Sequence, residues 1–175
     1  MRGFTIAAGA VVAMTVAASL AANPPAAQAS NFGVELNGTW HYRANGNFAL
    51  VNDVRKDMPT IDETWTLSSD CVSPVECEGT AVSSAGWTAR LWYGYPNTYW
   101  VVDRTIAEWQ FCPGGGVAPG EQRFQFWGFD PVATERNMKI TNFLVGRQRT
   151  VSPSGSCGTN KPLVIETPMK LEQVP

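Results

Sequence analysis

Glu63-Thr64-Trp65-Thr66-Leu67-Ser68-Ser69-Asp70-Cys71, followed after a short break by Cys77-Glu78-Gly79-Thr80-Ala81-Val82-Ser83-Ser84, decides the fold. Alternation places Trp65 and Leu67 on one face and Thr64, Thr66 and Ser68 on the other, the period of a half-buried strand. Two such runs about one turn make a hairpin, with a cysteine on each side of the turn. Trp87, Trp92, Trp100 and Trp109 then follow on what read as the next three strands.

The same pattern extends outward in both directions. Upstream, Gly38–Ala44 alternates, with Trp40 and Tyr42 on one face. Asn45-Gly46 follows, and both residue types accept the positive φ of a type I′ turn, so a return strand is expected over 47–54. Residues 55–62 are polar with Pro59 and read as a loop, or at most one helical turn. Downstream, Ser84-Ala85-Gly86 turns into a strand over 87–94, and Tyr95-Pro96-Asn97 turns into another over 98–106. A separate strand over 108–112 puts Trp109 and Phe111 on one side. Residues 113–120 carry three consecutive glycines and two prolines, a flexible surface loop. Residues 121–129 set Phe124 and Phe126 against Gln125 and Trp127. A loop over 130–137 precedes a long strand over 138–150, bent near Gly146. A third loop over 151–161 carries Cys157, and a last strand over 163–171 contains Pro168, which fits only a sheet edge or a bulge.

About ten short strands at spacings of roughly 8–12 residues indicate an all-β sandwich or barrel. Short hairpin links make an antiparallel meander the simplest topology. Closing it into a barrel removes its exposed edges, so a barrel is expected over a sandwich.

The N-terminus reads as an address. Arg2, the small and apolar run from Phe4 to Ala22, and Ala27-Gln28-Ala29 form the three regions of a secretory signal, expected to be cleaved after Ala29. Its Ala, Gly and Thr content makes it a poor membrane span. Residues 30–175 are then a single β domain with no membrane span left. Without Arg2, twelve basic residues face fifteen acidic ones, and no run of Lys or Arg occurs. Without such a run, the basic groove of a nucleic-acid binder and the footprint of an anionic-membrane binder are set aside.

All four cysteines, Cys71, Cys77, Cys112 and Cys157, fall in the exported part, and an even count in an oxidising compartment argues for two disulfides. Three pairings exist. Cys71–Cys77 with Cys112–Cys157 is favoured, because the first two flank one turn. A zinc site would need closer spacing than Cys71-x5-Cys77, and the sole histidine, His41, is distant. No cofactor is expected.

The seven tryptophans divide by face. Trp65 and Trp109 read as core. Trp92 shares a face with Arg90 and Trp127 with Gln125, so these two look outward and are candidates for an interaction surface. Trp40, Tyr42, Phe124 and Phe126 lie on inward faces and are the candidate lining of a ligand pocket. A triad would have to use His41, which sits on the face opposite Trp40 and Tyr42. Asp103 and Glu108 could form a glycosidase-like carboxylate pair, but Arg104 lies between them and cross-strand ion pairs explain them better. There is no G-x-S-x-G, and Gly114–Gly116 lacks the Gly-Lys-Ser/Thr of a phosphate loop. Asn37-Gly38-Thr39 matches a glycosylation sequon.

As a set, Leu36-Asn37-Gly38-Thr39-Trp40, Thr64-Trp65-Thr66, Cys71-Val72-Ser73-Pro74-x-x-Cys77-x-Gly79-Thr80, Gly86-Trp87, Trp109-x-x-Cys112 and Ser152-Pro153-Ser154-Gly155-x-Cys157-Gly158 resemble small exported proteins of mycobacteria and related actinobacteria. The resemblance covers nearly the whole exported part. It implies export and disulfides, and it carries no catalytic residues across. Gly38-Thr39-Trp40 is also similar to the Gly-x-Trp that opens lipocalin-type barrels.

These observations lead to a secreted, non-enzymatic β-barrel that binds a small apolar ligand or a cell-envelope component. The alternative is a protein-interaction or structural envelope module with a solid core. A hydrolase using Asp103, Glu108 or His41 ranks third.

Overall fold

The computed structural model describes residues 31–96 and 98–175; the signal expected over 1–29 lies outside the described residues. Eleven strands follow in order: β1 Gly38–Ala44, β2 Leu50–Val51, β3 Val54–Arg55, β4 Ile61–Ser73, β5 Glu76–Ser83, β6 Thr88–Tyr93, β7 Trp100–Phe111, β8 Val117–Asp130, β9 Glu135–Arg136, β10 Phe143–Val151 and β11 Val164–Gln173. Eight of them pair in the order β1-β4-β5-β6-β7-β8-β10-β11, and β11 returns to β1, from Trp40↔Gln173 to Ala44↔Met169. The result is a closed, antiparallel eight-stranded meander barrel. The β2–β3 hairpin extends from β11, and β9 is appended to β8.

Alternation drives the closure. On β4 the residues from Trp65 to Cys71 are buried and exposed in strict succession, and β1 does the same from Trp40 to Ala44. The inward set converges on one core that includes Leu36, Trp40, Trp65, Leu91, Trp100, Phe126, Leu144 and Leu171. An eight-stranded barrel has an interior just wide enough for side chains to fill, so large inward aromatics suit this strand number. Leu36 joins the core from outside the strands. Its backbone exchanges hydrogen bonds with Ser69 Oγ, and Ser69 N–H donates to Asn37 Oδ1 at 2.8 Å.

Both disulfides form as favoured. Cys71 and Cys77 are directly opposite on β4 and β5, and Cys112 joins Cys157. With all four cysteines paired, none is available as a metal ligand.

Several local expectations are corrected. Asn45-Gly46 makes no hairpin. Asn45 Oδ1 instead accepts from Asn47 N–H and caps a 3-10 turn over Gly46–Phe48. Gly46 is needed for close approach: a Cβ there would lie 2.0 Å from the Met58 carbonyl oxygen. The two-residue hairpin sits later, at Asn52-Asp53, with φ of 49° and 67° between β2 and β3. The two strands expected over 98–106 and 108–112 are one, β7, with its register interrupted between Ile106 and Gln110. The glycines at 115 and 116 make a tight turn, so β8 already begins at Val117. β10 begins only at Phe143, and residues 138–142 are loop. Pro168 lies neither on an edge strand nor at a bulge: it pairs with Arg147 of β10 in unbroken register. On its other side it falls between the stretches of β11 that pair with β2 and with β1, where its carbonyl accepts from Asn45 N–H.

Candidate functional site: a filled lumen and an arginine-rich outer wall

β1 and β8 carry Trp40, Tyr42, Phe124 and Phe126 into the lumen, and each is at most 2% exposed. Almost none of their surface can therefore touch water, either outside or in a void. Tyr42 stacks on Trp65 with centroids 4.4 Å apart and planes 7° apart. Phe124 meets Trp65 edge-on at 5.0 Å and Tyr42 at 5.9 Å, and stacks on Trp87 at 5.7 Å. Edge-to-face and offset pairs of this kind contribute about 0.5–1.5 kcal/mol each beyond area burial. A ligand placed among these rings would have to displace one of them.

One end of the lumen is polar. Glu63 Oε2 accepts from Trp65 Nε1 at 2.9 Å and from Ser83 Oγ at 2.6 Å. Arg104 donates from Nε to Gln122 Oε1 at 2.6 Å, and its guanidinium lies 4.4 Å from the centroid of Trp87. Gln122 Nε2 donates to Thr150 Oγ1 at 3.1 Å. Burial lowers the Arg104 pKa while Glu63 and Tyr42 oppose that shift; burial, helped by Glu63, pushes the Tyr42 phenol well above its ordinary range. These bonds link Glu63 to Ser83, and Arg104 through Gln122 to Thr150, which helps fix the register of the strands they join. The buried Trp87 Nε1 makes no hydrogen bond among the described residues. The sequence reasoning passed over this cluster. The signal was present: Arg104 is in phase with inward Trp100 and Val102, and Gln122 with inward Phe124 and Phe126.

The outer wall carries the charge. Cross-strand register aligns Arg90, Asp103, Arg123 and Arg149 on β6, β7, β8 and β10, with Glu166 next on β11. Asp103, Arg123, Arg149 and Glu166 of this row border a concavity of about 640 Å³ that Arg147 and Gln125 also line, while Arg90 lies outside it. Arg123 holds Asp103 with two bonds, at 2.6 and 3.1 Å, and that hydrogen bonding raises its pKa. Arg147 donates to Gln125 Oε1 at 3.1 Å and reaches Glu166 at 3.5 Å. Arg149 comes no nearer to Glu166 than 3.9 Å.

Trp92 and Trp127 do lie on this outer wall, each partly covered. The Arg90 guanidinium is 5.8 Å from the Trp92 ring, whose Nε1 donates to Asp103 at 3.3 Å, and Arg136 lies 5.5 Å from Trp127. Trp109 rests against Gly120 on β8, while its expected companion Phe111 is 78% exposed.

The residues considered for hydrolysis are not brought together. His41, on the outside of β1, lies 3.4 Å from Asp62 and 3.9 Å from Glu172. Asp103, on β7, is engaged by Arg123 and Trp92. Glu108 falls in the irregular part of β7 and is exposed.

No family model and no curated protein sequence matches the chain. Among solved structures it is similar to one described as the monomer form of the M. tuberculosis PknI sensor domain, with a TM-score of 0.55 and 16% identity over 80% of this chain and 88% of that one. At that identity the likeness is one of fold.

Proposed function

We propose that this chain is an exported, non-enzymatic binding module that recognises a cell-envelope component through its outer wall. The observation that carries the reading is the contrast between lumen and wall. The inward rings have almost no accessible surface to offer, whereas the concavity of about 640 Å³ is bordered mainly by outward, half-exposed charged side chains. Trp92 and Trp127 add aromatic surface to the same wall, of the kind enriched at interfaces. Export is supported by the signal pattern of residues 1–29 and by two formed disulfides, which persist in oxidising compartments. Fold likeness to a structure described as a sensor domain agrees with a recognition role. Engagement of Asp103 by Arg123, and the separation of His41 from it by several strands, favour binding over hydrolysis.

The test is retention of envelope fractions (lipid, glycan and protein) on the immobilised oxidised chain. Saturable retention of one fraction is expected, competed by soluble chain and lost in Trp92→Ala or Trp127→Ala. Retention abolished instead by Trp40→Phe or Phe126→Leu, with the outer variants silent and the fold intact by circular dichroism, would return the site to the lumen.

A further inference from the structure

The geometry points to an oxyanion site on the outer wall, formed by Arg123, Arg147 and Arg149 and suited to a phosphate-type group. This deepens the outer-wall reading and rests on it. Arg123 and Arg149 are register partners on β8 and β10, and Arg147 lies two residues from Arg149 on the same face. Directly opposed residues in an antiparallel pair hold their Cβ atoms about 5 Å apart, and like charges placed so are destabilising. Three guanidiniums therefore crowd the seam between β8 and β10.

The carboxylates that could relieve this crowding sit to either side of it. Asp103 lies beyond Arg123 on β7 and is bound in a two-bond fork on that side. Glu166 lies beyond Arg149 on β11. It is divided between Arg147 at 3.5 Å and Arg149 at 3.9 Å, longer than the 2.7–2.9 Å of a good charge-assisted bond. Glu121, the remaining acid in the concavity, accepts from the Thr105 hydroxyl at 3.0 and 3.2 Å. All three arginines are half exposed, at 49–52%, so their remaining N–H donors face an open concavity.

A tetrahedral oxyanion fits this arrangement. It offers several acceptor oxygens at once, whereas a carboxylate offers two, and the planar forks of arginine match phosphate oxygens in pairs. It would also cancel the repulsion across the seam. The shared chemistry is a phosphate group, whether free or borne by an envelope lipid or glycan.

The experiment uses the full chain, expressed with its own leader into an oxidising compartment and purified from it. Thermal unfolding and calorimetric titration at low ionic strength are run with inorganic phosphate, and in parallel with sodium chloride at matched ionic strength. Vesicles of phosphatidylglycerol and of phosphatidylcholine form a second arm. Saturable phosphate binding is expected, with a rise in Tm that chloride does not give, and both should weaken at least tenfold in Arg149→Gln and Arg147→Gln. Arg43→Gln, on β1 and outside the concavity, should bind as the parent does. Selective retention on phosphatidylglycerol, lost in the same variants, assigns the group to a lipid headgroup. Phosphate binding without it assigns the group to a soluble or glycan-borne ester.

A structural role for Arg149 predicts the opposite stability effect. If it serves only to pair Glu166, Arg149→Gln lowers Tm in phosphate-free buffer; relief of like-charge crowding leaves Tm unchanged or raises it. A lowered Tm, binding that survives both substitutions, or no binding of phosphate or vesicles overturns the site. Envelope retention that persists in the arginine variants and is lost in Trp92→Ala removes the oxyanion site alone and leaves the outer-wall reading standing.

Discussion

The Tyr42 hydroxyl donates to Gln148 Oε1 at 2.5 Å, joining β1 to β10 over the intervening β11 across a separation of 106 residues. Both groups are buried, so neither has water as an alternative partner. Tyr42→Phe keeps the ring stacked on Trp65 but strands the glutamine oxygen. A loss of about 1–3 kcal/mol is expected, the cost of an unsatisfied buried acceptor. Urea unfolding should show a lower midpoint at unchanged m-value. An unchanged midpoint would mean that this bond contributes nothing.

The same hydroxyl makes the fold sensitive to alkali. Burial first, and Glu63 second, raise the native pKa of Tyr42 above its unfolded value. A raised pKa means that stability is complete below the unfolded value, about 10, and is lost as pH climbs from there toward the native value. Urea midpoints should therefore fall with pH beyond about 10, and less steeply in Tyr42→Phe. Equal slopes in the two proteins would place the alkaline sensitivity elsewhere.

The two disulfides differ in the chain they enclose, with sequence separations of 6 and 45. On the loop-entropy relation the shorter contributes about 2.4 kcal/mol and the longer about 4. Replacing Cys112 and Cys157 by Ser should lower stability more than replacing Cys71 and Cys77. Guanidinium unfolding of the two double variants decides the order, and the reverse order would contradict the relation.

Asp70 and Glu78 face each other in register on the exposed side of β4 and β5. Glu78 contacts Arg90, but Asp70 adds a like charge directly opposite. Asp70→Lys should stabilise by about 0.2–1 kcal/mol, and the gain should shrink as salt rises. A loss of Tm at low salt would count against it.

Strand identity was legible wherever alternation was strict. Residues 38–44, the Trp65–Leu67 face and the Phe124–Phe126 face are all recovered, and so is the inward or outward sense of Trp40, Trp65, Trp92 and Trp127. Trp109, read as core, is instead half-buried and outside the core cluster. Failure came where a local signal has two physical uses. Asn-Gly suits a type I′ turn, yet here Gly46 serves to admit the Met58 carbonyl, a contact between segments that no local pattern encodes. The glycine run after Cys112 looked like open loop because composition does not reveal how soon pairing resumes. The arginine seam was hidden for a related reason. Arg123 and Arg149 are 26 positions apart in the chain, and only the register of β8 against β10 makes them neighbours.

The Cys112–Cys157 bond has a further consequence for that seam. β8, β9 and β10, and with them Arg123, Arg147 and Arg149, all lie between the two cysteines, inside one covalent ring. The exposed turn around Val132, the natural place for a protease in the surrounding medium to cut, lies inside the same ring. A single cut there would open the ring without releasing either half. The two pieces would migrate together on a non-reducing gel and separate only after reduction, so the arginine wall can outlast a cleavage of the backbone that joins its two strands.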